Sequence, residues 1–317
     1  MKSPREIQDE RYIALLMRQL GPQVLGWLDD PELTDFMVNA DGRVWVRTHK
    51  RGTFDAGLTL PATQVEAIIG TVAAALGTVA DADHPIIEGE LHFNRIRFEG
   101  VMPPIVEAAS MALRKPAQVL FTLADYVRDG IIAPSWATLV SDAVARKESV
   151  VLAGVTGSGK TTLAAALLNE MVERSDATDR YVVLEDTREI QCRAENVLFL
   201  RSNDQIDLTR LVRAAMRLFP TRIIVGETRG AETLALLKAW LTHLGGVTTV
   251  HATSVRAALT RLNSLIQEAG VPAQPELIAE TVNLIGLIED TKAGRRVTEL
   301  ARLDGYSSSE GFKLSPV

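Results

Sequence analysis

The sequence predicts an α/β protein in which a parallel sheet fills the C-terminal part and a smaller α+β domain precedes it. From about residue 134 onward, short apolar runs alternate with amphipathic helical segments, which is the pattern of a parallel sheet. The first apolar run, residues 150–153, leads into a glycine-rich stretch and then into a helical segment. Before residue 116, helical and hairpin signals are mixed, which predicts the smaller domain.

Composition limits the classes of function. The chain has 317 residues, 46% of them hydrophobic, and a formal net charge of −6, which argues against a dominant nucleic-acid-binding surface. A single cysteine, Cys192, excludes an intramolecular disulfide. No apolar run approaches the roughly 18–20 residues that span a bilayer, so we expect any membrane association to be peripheral or through a partner.

The N-terminal domain is predicted over residues 1–116. Apolar residues from Ile13 to Leu28 recur at helical spacing, and Asp41-Gly42 lies between two short strand-like runs, which indicates a hairpin. A helix is expected over about residues 61–80. The stretch that follows alternates like a strand, which would put Arg95 and Arg97 on one face. One more strand carries Arg114 and ends at Pro116.

Residues 117–133 are predicted to be a linker with one short helix, and residues 134–317 the second domain. In that domain the expected strands are 150–153, 181–186, 197–200, 222–227 and 246–252, each followed by a helix or a connection, and the expected C-terminal strands are 283–290 and 295–303. The turn-like TKAG between the last two indicates a hairpin.

The stretch Gly154 to Thr161 reads GVTGSGKT, which is a P-loop pattern in its confirming context of strand, loop and helix start. Glycines let backbone N–H groups converge on a phosphate, and the following helix adds the positive end of its dipole. Lys160 is expected to reach the β- and γ-phosphates, and Thr161 to ligate Mg²⁺. The sequence therefore predicts a nucleoside triphosphate site.

Two strands of the predicted sheet end in acids. Glu227 ends IIVGE, where it would face the γ-phosphate and polarise the attacking water, because open α/β sheets bind ligands at the carboxyl ends of their strands. Glu185 and Asp186 end the neighbouring strand, where one could order Mg²⁺-bound water and the other could hold an arginine. The simpler alternative for this pair is an acid paired with Arg188.

A histidine and several arginines complete the candidate site. His251 ends GVTTVHA, a further strand that points to the same edge, and we expect it to contact the γ-phosphate. Arg217, Arg222 and Arg229 are predicted to surround the glutamate strand. Arginines of the N-terminal domain would supply cations from a second wall if the nucleotide lies between the domains.

Four stretches together resemble the secretion-superfamily traffic ATPases of type IV secretion, type II secretion and type IV pili. They are GVTGSGKTT at 154–162, the Asp-box-like LEDTREIQ at 184–191, RIIVGETRGAET at 222–233, and the His-box-like HLGGVTTVHATS at 243–254. The tail, from AALTRLNSLIQEAG through RRVTELARLDGY, is most similar to the TrbB branch, the conjugal-transfer ATPases. A single cysteine cannot build the four-cysteine zinc element typical of type II secretion ATPases.

The resemblance implies a RecA-like P-loop NTPase domain after a PAS-like N-terminal domain, and a catalytic set of Glu227, Lys160, Glu185, His251 and Arg229. It implies that the nucleotide is bound by Gly154, Val155, Thr156, Gly157, Ser158, Gly159, Lys160, Thr161 and Thr162, together with Arg97 and Arg114 of the N-terminal domain. Arg95 is an alternative to Arg97.

The activity implied is hydrolysis of ATP to ADP and phosphate, with Mg²⁺, by a homohexamer that powers conjugative type IV secretion or pilus biogenesis. Such rings are cytoplasmic, peripheral to the inner membrane, and work with inner-membrane components of the secretion machine; no stable nucleic-acid binding is expected. The alternatives are a type IV pilus or type II secretion motor, a RecA-like nucleic-acid motor, and a nucleotide-gated scaffold whose hydrolysis is incidental.

Overall fold

The structure is a computed structural model that describes residues 4–48, 51–91, 93, 95–115, 120–187, 189–203 and 205–317. The chain divides into two compact units, Met1–Gln118 and Val119–Val317. Pro116, where the sequence places the end of the first domain, lies outside the described residues. No helix in the described part of the chain combines the length and the apolarity that a bilayer span requires.

The first unit is a sheet covered by two helices. Its elements are α1 (Pro4–Asp29), β1 (Leu33–Val38), β2 (Arg43–Thr48), β3 (Gly52–Thr59), α2 (Ala62–Leu76), β4 (Ile86–Glu90), β5 (Arg97–Val101) and β6 (Ser110–Arg114). Over the described residues the strands form one antiparallel sheet in the order β3-β2-β1-β6-β5-β4. Alternate residues of the strands, such as Phe36 and Phe98, pack against Val24 of α1 and Ile68 of α2. This alternation gives the unit its own hydrophobic core.

The hairpin predicted at Asp41-Gly42 is confirmed, since β1 and β2 pair antiparallel with Val38 opposite Val44. The expectation that Arg95 and Arg97 share a strand face is wrong. Arg97 begins β5, whereas Arg95 lies in the preceding turn with a φ of 52°. The stretch is a hairpin between β4 and β5 rather than one alternating strand, because the chain reverses between Leu91 and Ile96, whose backbones are hydrogen-bonded.

The second unit begins with α3 (Leu123–Arg128) and α4 (Pro134–Ala145). The elements that follow are β7 (Val150–Gly154), α5 (Lys160–Glu173), β8 (Tyr181–Glu185), β9 (Val197–Arg201), α6 (Leu208–Ala215), β10 (Arg222–Val225), α7 (Glu232–Trp240), β11 (Val247–His251), α8 (Val255–Gln267), α9 (Pro275–Thr281), β12 (Leu284–Thr291), β13 (Gly294–Ser307) and β14 (Gly311–Pro316). In the described residues these strands form one sheet in the order β14-β13-β12-β7-β11-β10-β8-β9. The six strands from β12 to β9 are parallel, and β13 and β14 add an antiparallel edge.

Helices cover both faces of this sheet, and the strand residues alternate between the two faces. Val151 and Ala153 of β7 pack in one apolar cluster with α6, α7, α8 and α9, while Val150 and Leu152 pack in the other with α3, α4 and α5. The strands are therefore buried on both sides and read as continuous apolar runs. The α/β fold class predicted from the alternation of strands and helices is confirmed.

Two parts of the second unit go further than the sequence prediction. Residues 120–133, predicted as part of a linker, contribute Leu123, Tyr126 and Ile132 to the core on the α5 face of the sheet. The predicted C-terminal hairpin is confirmed by the antiparallel pairing of β12 and β13, and β14 extends it by a strand that the sequence reading did not include.

Candidate functional site

The P-loop occupies the connection between the central strand β7 and α5, which begins at Lys160. The loop requires glycine at Gly154, where an added Cβ would lie 2.4 Å from the Ile288 carbonyl oxygen and 2.4 Å from Ser158 Oγ. Contacts that short essentially do not occur for real Cβ atoms. The loop can therefore fold closely over the end of β7 only without a side chain at this position.

Polar groups line the inside of the loop. Ser158 N–H donates to the Val155 carbonyl oxygen at 3.2 Å, and Lys160 Nζ donates to the same oxygen at 3.0 Å. Ser158 Oγ is buried and has no hydrogen-bond partner in the described residues. A buried hydroxyl without a partner is costly, and the first backbone N–H groups of α5 have no intrahelical acceptor. Together these donors fit an anion of the size of a phosphate group.

The structure places Thr161, the residue predicted to ligate Mg²⁺, at the start of α5. Thr161 is the second residue of α5 and is half-buried, and Thr162 follows it in the same turn. Within the described residues there is no cluster of three or more His, Cys, Asp or Glu side chains that could hold a metal ion. This donor set suits Mg²⁺ bound largely through nucleotide phosphates and water, with the Thr161 hydroxyl as a protein ligand, rather than a metal site made of protein groups alone.

Four predicted site residues form a continuous chain of contacts beside the loop. Lys160 Nζ lies 3.3 Å from His251 Nδ1. His251 Nε2 lies 2.6 Å from Glu227 Oε1, and Arg229 Nη2 donates to Glu227 Oε2 at 2.6 Å. The exposed fraction of the side chain rises from 18% at Glu227 to 43% at His251 and 59% at Arg229. The acid is thus recessed between two more accessible cationic or basic groups.

Sheet register explains why these residues meet. His251 ends β11 and is the direct Cα partner of Gly154 at the end of β7. Strand β10 lies on the other side of β11 and ends at Val225, two residues before Glu227. All three strands are parallel, so their carboxyl ends meet at one edge, as the sequence analysis predicted.

The electrostatics favour a neutral histidine between two charged groups. Burial lowers the pKa of His251 below its usual value, and Lys160 and Arg229 lower it further against the raising effect of Glu227. Burial also lowers the pKa of Lys160, and Glu227 opposes this effect. The hydrogen bond that Arg229 donates to Glu227 raises the pKa of Arg229. A neutral imidazole that accepts from the Lys160 ammonium at Nδ1 carries its proton on Nε2, the nitrogen that faces Glu227.

Glu185, predicted as a catalytic acid, contacts the backbone of the loop that follows β8. Its buried carboxylate accepts hydrogen bonds from the backbone N–H groups of Glu189 and Ile190 at 3.0 and 2.9 Å. An added Cβ on Gly226 would lie 3.2 Å from the same oxygen, so Glu185 is packed beside the chain segment that leads to Glu227. Glu185 therefore shapes the loop after β8.

Asp186, the neighbour of Glu185, contacts a residue that follows the adjacent strand β9. Asp186 accepts from Ser202 Oγ at 2.5 Å, and Arg188, its alternative partner, lies outside the described residues.

Of the three arginines predicted around the glutamate strand, only Arg229 reaches Glu227. Arg222 starts β10 and is buried at the opposite end of the strand, where it donates to the Val144 carbonyl oxygen, and Arg217 is exposed beyond the end of α6. Arg222 and Arg229 lie at opposite ends of the strand, because β10 separates them.

In the first unit the structure brings two predicted arginines together. Arg97 of β5 and Arg114 of β6 are direct cross-strand partners, and Asp35 of β1 is the next residue across the sheet from Arg114. Like charges directly opposite each other are unfavourable in a sheet unless an anion or an acid compensates them. Acids lie beside the pair in the sheet, since Asp35 is opposite Arg114 and Glu90 is opposite Arg97.

Sequence reasoning missed two residues of the site. The Glu232 carboxylate accepts the backbone N–H groups of Arg229 at 2.5 Å and Gly230 at 2.9 Å, and thereby fixes the turn that carries Arg229. Its position three residues after Arg229, at the start of α7, is a helix N-terminal acid signal that could have revealed it. Arg295, at the start of β13, lies against the P-loop, and no local signal in the sequence marks it, because the contact joins residues far apart in the chain.

Comparisons with known proteins show which family the chain is similar to. Residues 87–299 match the family described as type II/IV secretion system protein. The conjugal transfer protein TrbB of Rhizobium radiobacter is 43% identical over 300 residues, which cover 94% of this chain and 92% of that protein.

Solved structures agree on the fold. The X-ray structure of the ATPase DotB from Legionella pneumophila has a TM-score of 0.63 at 23% identity, covering 90% of this chain and 80% of that one. The pilus retraction motor PilT, with bound ADP, has a TM-score of 0.59 at 16% identity, covering 99% and 82%. By family match, by identity and by fold, this chain belongs to the type II/IV secretion system protein family, as a TrbB-like type IV secretion ATPase.

Proposed function

We propose that this protein hydrolyses ATP to ADP and phosphate, with Mg²⁺, as the subunit of a homohexameric motor for conjugative type IV secretion or pilus biogenesis. The observation that carries the proposal is the contact chain from Lys160 through His251 and Glu227 to Arg229 beside the P-loop. The names of its relatives, a conjugal transfer protein and a pilus motor with bound ADP, support the same activity.

The P-loop binds and orients the triphosphate in this proposal. Its backbone N–H groups and the start of α5 surround the β-phosphate, and Lys160 exchanges the Val155 carbonyl oxygen for phosphate oxygens. The Ser158 hydroxyl, buried without a partner among the described residues, gains one. Mg²⁺, held by the Thr161 hydroxyl and by phosphate oxygens, would neutralise part of the charge on the phosphates.

Glu227 orients the attacking water in this proposal. Its Oε2 accepts a hydrogen bond from Arg229, and its Oε1 lies 2.6 Å from His251 Nε2, so a basic group faces each oxygen. In this proposal the Arg229 cation and a neutral His251 stabilise the charge that develops on the γ-phosphoryl group. Glu185 fixes the loop after β8, and Glu232 fixes the turn that carries Arg229. Both connections are therefore formed before the substrate binds.

A phosphate-release assay on the purified protein tests the proposal. We expect Lys160→Ala to abolish release, because the lysine supplies the cation nearest the phosphates. Lys238→Ala is the matched control, since Lys238 is an exposed lysine on α7. A Lys160→Ala protein that released phosphate at the wild-type rate would exclude the proposal.

The ring, its location and the distant arginines are tested separately. Electron microscopy with a non-hydrolysable ATP analogue is expected to give six-fold rings, and cell fractionation is expected to find the protein on the cytoplasmic side of the inner membrane. Arg97→Ala and Arg114→Ala are expected to weaken nucleotide binding, as proposed contacts of the phosphates or ribose. Rings without turnover would favour a nucleotide-gated scaffold, and turnover strongly stimulated by single-stranded DNA would favour a nucleic-acid motor.

A further inference from the structure

A half-buried arginine that the proposed mechanism does not use lies against the P-loop. Arg295 is the second residue of β13, and its Nη2 donates to the Gly157 carbonyl oxygen at 3.5 Å. A methyl group added at Gly159 would lie 3.4 Å from Arg295 Cδ and 3.5 Å from its Nε. The side chain therefore covers the loop at two of its glycines.

Arg295 approaches from the side opposite the catalytic groups. Strand β7, which leads into the P-loop, lies between β12 and β11. His251 and Glu227 come from the β11 and β10 side, whereas Arg295 comes from the hairpin of β12 and β13. The two flanks of the loop are thus held by different parts of the chain.

The start of β13 is firmly fixed. Arg295 is the cross-strand partner of Asp290, and its own carbonyl oxygen accepts from Arg296 Nη1 at 2.7 Å. Val297 N–H donates to the Ile131 carbonyl oxygen at 2.7 Å. A strand that is paired in the sheet can present the Arg295 side chain to the loop from a defined position.

The peptide between Gly157 and Ser158 is bound at both of its ends. Arg295 binds the carbonyl oxygen of Gly157, and the Ser158 N–H donates to the Val155 carbonyl oxygen at 3.2 Å. Most of the guanidinium donors of Arg295 are not used by the loop, and none of them meets a carboxylate among the described residues. Its charge therefore adds to the positive potential around the loop.

We propose that Arg295 is a positioning residue that holds the turn of residues 155–158 in the shape that admits a β-phosphate. This inference rests on the proposed nucleotide site. A loop held open before binding does not lose conformational freedom on binding, so the affinity for any ligand with that phosphate rises. The hairpin of β12 and β13 is then part of the nucleotide site.

Calorimetric titration of the whole protein with ADP and with inorganic pyrophosphate tests this. Arg295→Ala is expected to weaken both ligands by the same factor of about tenfold, the value of one charge-assisted hydrogen bond. Arg295→Lys, which retains a cation and one donor, is expected to recover part of the loss. The control is Lys292→Ala, an exposed cation in the same hairpin, which is expected to bind like the wild type. In the hydrolysis assay, KM should rise while kcat changes little.

The outcomes separate this inference from the proposed function. A wild-type protein that binds no ADP contradicts the proposed function itself. If the wild type binds ADP and Arg295→Ala binds both ligands equally well, the positioning role is refuted and the proposed function stands. Weaker ADP binding with unchanged pyrophosphate binding would assign Arg295 to the nucleoside instead, and would also refute it. If Arg295→Ala does not fold, Arg295→Lys and Arg295→Gln carry the same comparison.

Discussion

Replacing Glu227 by glutamine is the sharpest test of the site. The substitution keeps the shape of the side chain and removes its charge, so that the distances to His251 and Arg229, both 2.6 Å, need not change. What is lost is the negative charge that orients water and balances Arg229. We therefore expect the variant to fold and to bind nucleotide but to hydrolyse ATP slowly.

The structure sets the size of the two effects. The Arg229 side chain is 59% exposed, so the loss of this ion pair should cost stability only about 0.2–1 kcal/mol. The Glu227 side chain is only 18% exposed, so its negative charge acts in the transition state from a recessed position. Removing this charge should reduce kcat by roughly 10²-fold or more, which is about 2.7 kcal/mol in activation free energy.

Three measurements on Glu227→Gln separate these effects: phosphate release at saturating ATP, ADP affinity by calorimetry, and thermal unfolding. Glu173→Gln, which alters an exposed glutamate at the end of α5, is the control. A variant with wild-type kcat would refute the role of Glu227. A variant that lost ADP binding to the same extent as turnover would show that the carboxylate supports binding rather than the chemical step.

The other predictions concern positions around the same site. Glu232→Ala removes the acceptor of two backbone N–H groups, so urea denaturation should show a free energy of unfolding lower by about 2 kcal/mol or more. An unchanged urea midpoint would show that these two hydrogen bonds do not stabilise the fold. Gly154→Ala places a methyl group 2.4 Å from the Ile288 carbonyl oxygen, so we expect a lower Tm, by overpacking of about 1–3 kcal/mol, and loss of ADP binding; a variant that binds ADP normally would show that the loop can shift. The pKa of His251 is lowered in the folded protein, so the unfolded state takes up the proton first and stability falls as pH drops through the ordinary value of 6.5. Urea denaturation at pH 7.5 and about pH 5.5 should therefore show a larger loss for the wild type than for His251→Gln, and equal losses would count against a neutral histidine.

Much of the fold follows from local pattern. The strands of the parallel sheet are continuous apolar runs because both of their faces are covered, and the helices between them carry the usual amphipathic spacing. The elements that the sequence analysis missed, such as β3, α9 and β14, are short or half-exposed. Their form depends on the neighbours they pair or pack with.

The candidate site, like the fold, was predictable from the sequence only in part. The motif predicts the P-loop, and strand ends predict that Glu227 and His251 meet beside it, because parallel strands bring their carboxyl ends to one edge. Which arginine reaches that edge cannot be read from nearness in sequence. Arg222 and Arg229 flank the same strand, and only the direction of the strand decides that one is buried far from the site while the other binds Glu227.

The sequence by itself determined the nucleotide loop, the α/β architecture and the family, because glycine spacing, apolar runs and motif order are local properties of the chain. The tertiary structure alone decided that Glu185 and Glu232 fix loops, that Arg97 and Arg114 are cross-strand neighbours, and that Arg295 braces the P-loop from a hairpin 138 residues away from Gly157. The reason is physical. Hydrogen bonds and close packing act over a few ångströms, and sheet order and register determine which distant residues come that close.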